Sequence, residues 1–384
     1  MTGRPLAVCD ITEYHGETSG GVRSYLREKS RYITATPGLR QIVIVPGASD
    51  AVTGDDRVRR YEIGAPMIPG QAPYRAMIAP GRVRRILERE RPDIIEIGSS
   101  HFVPWLVRRP AARLGIPAVW FFHSHLPRII APRQERDRPH RWWAARQALR
   151  YVRRVAAGVE RTLVASDFAR DDLLRAGVER VVRVPLGVDT ATFNPQRRQH
   201  ADRTRHRFGL GAAPFALYAG RFTAEKELVT AVEGWGRVRQ DGAQLLLVGA
   251  GPQEARLRAR AGAGVRFIGF VQDREAMADL YAAADLYLAP GPAETFGLAA
   301  HEAMASGTPV LSVDVGAVAE QVERSGIGAA YPLGDPAALA ATADMLLDGP
   351  ALAMREPARA WIEAHHRWDA AFLKIVDVYR DVLR

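Results

Sequence analysis

The chain has 384 residues, 47% hydrophobic and 25% charged, with one cysteine and a formal net charge of +10 at pH 7. That length exceeds one ordinary core and predicts two domains of roughly 150–200 residues. A lone Cys9 inside the apolar run Leu6–Ile11 excludes an internal disulfide framework, and no uncharged apolar run reaches the ~18 residues a membrane-spanning helix needs.

The charge is uneven. Residues 1–190 hold 32 Lys and Arg against 20 Asp and Glu, whereas residues 191–384 hold 21 against 23. A basic first half predicts an anionic partner there. Only Lys29, Lys226 and Lys374 are lysines, and the rest of the basic charge is arginine. The N-terminus does not read as a signal peptide, so the expected location is the cytoplasm, with peripheral contact at the inner membrane face left open.

In chain order, short apolar runs predict strands at Leu6–Ile11, Gln41–Pro46, Asp93–Ile97, Ala118–Phe122, Thr162–Ala165 and Val181–Val184. Helical patterns at Val22–Tyr32, Gly81–Glu90 and Trp142–Ala156 separate them. The second half repeats the scheme, with strands at Phe215–Ala219, Gln244–Val248, Val265–Ile268, Leu286–Ala289, Pro309–Val313 and Gly328–Tyr331. Helices there start near Lys226, Gln253, Arg274, Gly297 and Pro336, and Trp368–Leu383 reads as a closing amphipathic helix. Strands alternating with helices imply an α/β chain of two doubly wound parallel sheets. The polar stretch Pro195–Arg205 is the expected linker. The expected domains are 1–192, 193–360 and a C-terminal helix within 361–384.

Several residues fall where such sheets bind ligands, at the carboxyl ends of strands. Gly220-Arg221-Phe222-Thr223-Ala224-Glu225-Lys226 follows the strand Phe215–Ala219, and its two cations could clamp a diphosphate. Glu294 lies in a Gly/Pro-rich loop and Glu302 about two turns into the next helix, whose free amide N–H groups around Gly297 suit a phosphate. Two acids flanking an anion site suit a nucleotide-diphosphate sugar; a solvated helix carrying two glutamates fits the spacing equally well. Gly20-Gly21 opens the first helix, as a phosphate approach or as a simple turn. His123 ends the strand Ala118–Phe122, as a sugar contact and proton-transfer group or as a structural cap. Val248-Gly-Ala-Gly-Pro252 lacks a full dinucleotide fingerprint and reads as a structural turn. No Asp-x-Asp occurs, so no metal site and no cofactor is expected beyond a nucleotide-sugar co-substrate.

Taken in order, Gly20-Gly21, His123, Pro185-Leu-Gly-Val-Asp189, Phe193, Pro195, Gly220-Arg221…Lys226, Val248–Pro252, Arg266–Val271, Glu294…Glu302, Ala303–Val310 and Trp368-Asp369 resemble the retaining nucleotide-sugar glycosyltransferases of the family-four group. The resemblance spans almost the whole chain. It implies the GT-B fold, with two Rossmann-like domains facing a central cleft and the last helix crossing back to the first. It implies that Glu294 holds the donor sugar, Glu302 the ribose, and Arg221 and Lys226 the diphosphate, with Gly220, Phe296, Gly297 and Leu298 lining that grip. It further implies base contacts from the backbone at Phe270–Val271, His123 beside the reacting centre, Gly20-Gly21 over the phosphates, and metal-independent front-face displacement. One departure stands out: the family often shows Gly-Gly where this chain has Val315-Gly316-Ala317.

Val184–Thr190 resembles mannosyltransferase relatives, so mannose from GDP-mannose is the expected donor, with UDP-glucose or UDP-GlcNAc as alternative. The Arg-rich segment Arg128–Arg161, with His140-Arg-Trp-Trp143, reads either as a patch for a lipid-linked or anionic acceptor or as a solvated helix with a core tryptophan. A nucleotide-sugar epimerase of the same architecture is a further alternative. A nucleic-acid partner is not expected, because no recognition motif accompanies the basic charge.

Overall fold

The computed structural model describes residues 4–16, 20–68, 74–130 and 139–384, the side chains of 139–141 excepted. Residues 131–138 of the Arg-rich segment, and the side chains of His140 and Arg141, therefore lie outside the described residues. Two compact units emerge, one of Met1–Pro127, Trp143–Leu186 and Trp368–Arg384, the other of Arg128–Trp142 and Gly187–Arg367.

Among the described residues the first unit carries eight strands: β1 (Leu6–Ile11), β2 (Leu39–Gly47), β3 (Ala51–Gly54), β4 (Val58–Gly64), β5 (Ile94–Ile97), β6 (Ala118–Phe121), β7 (Arg161–Val164) and β8 (Val181–Arg183). Their order is β3-β4-β2-β1-β5-β6-β7-β8, parallel except for β3, which pairs antiparallel with β4. The β3–β4 hairpin is absent from the sequence expectation, for a physical reason. β3 is largely exposed and β4 alternates polar and apolar residues, so neither forms the apolar run that marks a buried parallel strand. The Asp55 carboxylate makes the turn, accepting from the Arg57 and Val58 amides at 2.8 and 2.9 Å.

The second unit holds β9 (Phe215–Ala219), β10 (Gln244–Val248), β11 (Val265–Ile268), β12 (Leu286–Ala289), β13 (Val310–Val313) and β14 (Gly328–Tyr331). All pair in parallel in the order β11-β10-β9-β12-β13-β14. Leu246 and Val248 point into one core, and Leu245 and Leu247 into another on the opposite face. Renumbered within the unit, this is the 3-2-1-4-5-6 order of a Rossmann-like sheet, and the first unit follows the same plan around β1. The order reverses between β9 and β12, and between β1 and β5. Crevices for ligands open at those switch points.

Pro195–Arg205 is not a linker. It forms a 3-10 turn (Pro195–His200) running into the helix Ala201–Arg207, inside the second unit. Its charges are tertiary: Arg197 pairs with Asp279 and Glu275, while Arg198 and Arg205 pair with Asp285. The last helix, Trp368–Val382, buries Phe372, Ile375, Val376 and Tyr379 within the first unit, against the helix Gly21–Ala35.

Candidate active site

In the second unit, the chain leaves β9 through a tightly constrained loop. The Gly220 and Phe222 amides donate to Val248 and Ala250 carbonyls at 3.0 and 2.9 Å, and the Tyr218 hydroxyl donates to the Arg221 carbonyl at 2.8 Å. A Cβ at Gly249 would lie 2.0 Å from the Gly220 oxygen, and one at Gly251 2.5 Å from the Phe222 oxygen. Val248–Pro252 is thus the structural turn expected, and its glycines are needed by this close approach. A 3-10 turn over Ala224–Lys226 follows, so the helix begins at Leu228 rather than at Lys226.

The Lys226 ammonium forms an ion pair with the Glu294 carboxylate. Lys226 sits beyond β9 and Glu294 beyond β12, so the pair bridges the switch point of this sheet. Arg221, about half exposed, reaches Glu225 at 3.4 Å, and Thr223 donates to the same oxygen at 2.7 Å.

Gly297 N-caps the helix Leu298–Ala305 with φ 85°, and a Cβ there would strike Val318 at 2.3 Å. Among the described residues no side chain caps this helix, and its first turn carries no acid. The N–H groups and positive dipole end are therefore available to an anion. Glu302 lies further along the same helix. Tyr287, on β12, is fully buried; its hydroxyl pKa is driven up by burial first, then by the charges of Glu294 and Glu302. Both glutamates thus bear on one buried hydroxyl, which donates to the Ala219 carbonyl at the end of β9 at 3.3 Å. Tyr281 is raised in the same sense, by burial and then by Glu302.

Phe296 turns inward. It is buried and stacks on His301 with centroids 4.0 Å apart, leaving its backbone as the part that can meet a ligand. Leu298 and Val271 pack against the core at its edge, whereas Phe270 is exposed. At the departure from the family pattern, Gly316 takes φ 111° against Pro292, and the Ala317 amide donates to the Glu294 carbonyl. The one glycine kept is the one this close approach requires.

In the first unit, Gly20 and Gly21 begin the helix Gly21–Ala35, and a Cβ at either would meet nothing within 4 Å among the described residues. His123, just past β6, stacks on Phe121 at 4.2 Å and meets the Tyr25 ring edge at 5.0 Å. Burial pushes its pKa down to about 4, leaving a neutral imidazole at pH 7. His123 lines a small recess with Asp10, Thr12, Tyr25, Glu96 and Gly98. That recess lies at the first sheet's own switch point. Sequence reasoning missed Asp10, Lys29 and Glu96, which meet there; the available signal was a carboxylate inside each of two apolar strand runs. His125, two residues on from His123, is buried with its Nε2 3.0 Å from Asp172.

Residues 213–349 match the family profile described as glycosyl transferases group 1, and residues 19–192 match glycosyltransferase family 4. The chain is 34% identical over 319 residues to a GDP-mannose-dependent α-(1-6)-phosphatidylinositol dimannoside mannosyltransferase of Mycobacterium tuberculosis, covering 82% of this chain and 81% of the relative. This chain belongs to glycosyltransferase family 4. The glycosyltransferase has the GT-B fold. Sucrose-phosphate synthase from Thermosynechococcus elongatus superposes with a TM-score of 0.80 at 23% identity, over 98% of this chain and 99% of the other. The Anabaena protein HepE, solved with UDP and glucose, gives a TM-score of 0.75 at 17% identity, over 97% and 99%. Among the described residues, no helix is long and apolar enough to cross a membrane, and no cluster of His, Cys, Asp or Glu could hold a metal ion.

His301, wholly buried against the Phe296 ring, gives a stability prediction. Burial lowers its pKa from 6.5 to about 4. The unfolded chain therefore takes up this proton below about pH 6.5 and the folded enzyme only near pH 4. Stability present above that window is lost as pH falls through it. Between about pH 7 and pH 5, urea unfolding of His301→Leu should lose about 2 kcal/mol less than the unchanged enzyme. Asp10, pushed up to about 7 by burial against the pull of Lys29, acts in the opposite sense, but equally in both proteins. Identical pH slopes would refute the assignment.

Proposed function

We propose that the glycosyltransferase moves mannose from GDP-mannose to a hydroxyl of an anionic, lipid-linked acceptor, with retention of anomeric configuration. The observation that carries this reading is the Lys226–Glu294 pair across the β9/β12 switch point, with an uncapped helix N-terminus and Glu302 immediately beyond. Lys226 and Arg221 take the diphosphate together with the amides after Gly297. Glu294 holds sugar hydroxyls, Glu302 the ribose, and the backbone at Phe270–Val271 the base.

In the transfer, the bond from the anomeric carbon to the diphosphate oxygen breaks and its electron pair leaves with the diphosphate. The acceptor oxygen bonds to the same face of that carbon, and its proton passes to the departing phosphate oxygen. Lys226 and Arg221 stabilise the negative charge as it develops, and Glu294 the oxocarbenium character. His123, neutral, serves the acceptor side by hydrogen bonding, and Gly20-Gly21 admits phosphate oxygens close to the backbone.

The lipid part rests on one helix and on the relative's printed acceptor. Trp142 and Trp143 are both exposed, at 57% and 61%, so the alternative of a core tryptophan fails. They stand on the helix Pro139–Ala156 together with Arg146, Arg150 and Arg154. Arg153 is committed elsewhere, donating to the Ala176 carbonyl. Aromatic and cationic side chains together favour a peripheral anionic membrane surface.

The test supplies GDP-mannose or UDP-glucose together with phosphatidylinositol-mannoside acceptor in anionic vesicles. Transfer from the GDP donor, an α-linked product by NMR and a larger thermal shift with GDP than with UDP are expected. A β-linked product would overturn retention, and preference for UDP-glucose would replace the donor.

A further inference from the structure

Beneath the recess at the first sheet's switch point lies a buried polar network joining five elements. The Lys29 ammonium donates to Asp10 Oδ1 at 2.5 Å and to the Tyr379 hydroxyl at 2.6 Å, and lies 3.2 Å from Glu96 Oε2. The Tyr379 hydroxyl donates to Glu96, and the Tyr25 hydroxyl donates to the other Glu96 oxygen at 2.7 Å. Gln41 donates to Asp10 Oδ2 at 2.7 Å. Asp10, Lys29, Glu96, Tyr25 and Tyr379 are each no more than 2% exposed.

Such a cluster is weak evidence of stability, since desolvating its charges offsets much of the attraction. Burial works against the charge on Lys29, yet Asp10 and Glu96 outweigh it and keep the ammonium protonated. What the cluster does provide is fixed geometry. Glu96 spends both oxygens orienting two tyrosines, and one of these, Tyr25, sets its ring edge against His123. The last helix closes the arrangement from behind, where Trp368 and Phe372 pack on Tyr25 at 6.2 and 5.7 Å.

We propose that Tyr379 of the last helix is a positioning residue for His123, acting through Glu96 and Tyr25. The return of the chain's end to the first unit then serves the reaction directly. Lys29 and Tyr379 hold the Glu96 carboxylate, Glu96 holds the Tyr25 hydroxyl, and the Tyr25 and Phe121 rings fix the imidazole plane. Loss of one hydroxyl from this chain leaves the fold in place but frees the ring that backs His123. A misplaced group at a reacting centre is costly to turnover even when every contact to substrate survives.

This rests on the reading of His123 as an acceptor-side residue, and the experiment separates the two. Steady-state kinetics of His123→Ala, Tyr379→Phe, Tyr25→Phe and a helix control, Ile375→Val, are compared with melting temperatures and with the imidazole ¹⁵N signals of His123. Ile375 is fully buried on the same helix, outside the network. Tyr379→Phe and Tyr25→Phe should each lower kcat about tenfold, leave KM for the donor unchanged and shift the His123 signals. Ile375→Val should lower the melting temperature and nothing else. Full activity in His123→Ala would remove the underlying reading, and the proposal with it. An impaired His123→Ala beside Tyr379→Phe with unchanged kcat and unchanged ¹⁵N signals would overturn the proposal alone.

Discussion

Replacing Glu302 with alanine should weaken binding of GDP about 10- to 200-fold while leaving the protein folded. The argument starts from position. Glu302 stands on the helix Leu298–Ala305, partly exposed, so alanine, the best helix former, leaves no cavity. A carboxylate accepting from both ribose hydroxyls makes charge-assisted hydrogen bonds worth about 1.5–3 kcal/mol, which is that range of affinity. The ribose is remote from the breaking bond, so its contacts are about equal in ground and transition states. The loss should therefore appear in KM for the donor more than in kcat. Calorimetric titration with GDP measures it directly. An affinity within twofold of the unchanged enzyme would remove Glu302 from the ribose.

That Glu302 could be singled out at all shows which features are local. Five of the six strands of the second sheet match their apolar runs to the residue, because strands buried on both faces read as continuous Leu, Val and Ala bounded by glycine and proline. The helix starts expected near Gly297 and Pro336 fall at Leu298, with Gly297 as its N-cap, and at Pro336. What stayed hidden depends on partners far along the chain. Arg197, Arg198 and Arg205 looked like the charges of a solvated linker until Asp279 and Asp285 were brought to them. Glu96 and Asp10 passed unnoticed inside their strand runs, because Lys29 and Tyr379, 350 residues apart, meet them only in the fold. The stacking of the Phe296 ring on His301 was equally hidden. Lys226 and Glu294 were each visible, but the ion pair between them was not, since 68 residues separate them.

That ion pair makes Lys226→Ala the more severe substitution. It should lower kcat/KM about 10²- to 10³-fold, with most of the loss in kcat. The ammonium and the Glu294 carboxylate neutralise each other at 19% and 32% exposure. A partly solvated pair of this kind contributes little to folding, about 0–1 kcal/mol, so the melting temperature should scarcely move. In the proposed function, donor binding changes the partners: the diphosphate would take the cation and the sugar hydroxyls the carboxylate. As the glycosidic bond lengthens, negative charge grows on the diphosphate beside Lys226, so the interaction strengthens toward the transition state. Removing the ammonium forfeits that gain and also leaves Glu294 with uncompensated charge facing an anionic leaving group. Lys226→Ala combined with Glu294→Gln should consequently lose less activity than the product of the two single losses, because the glutamine no longer repels the diphosphate. Single-turnover kinetics with saturating donor isolate the chemical step. Strict additivity, or a Lys226→Ala loss confined to KM, would mean that the ammonium binds the donor without stabilising its departure.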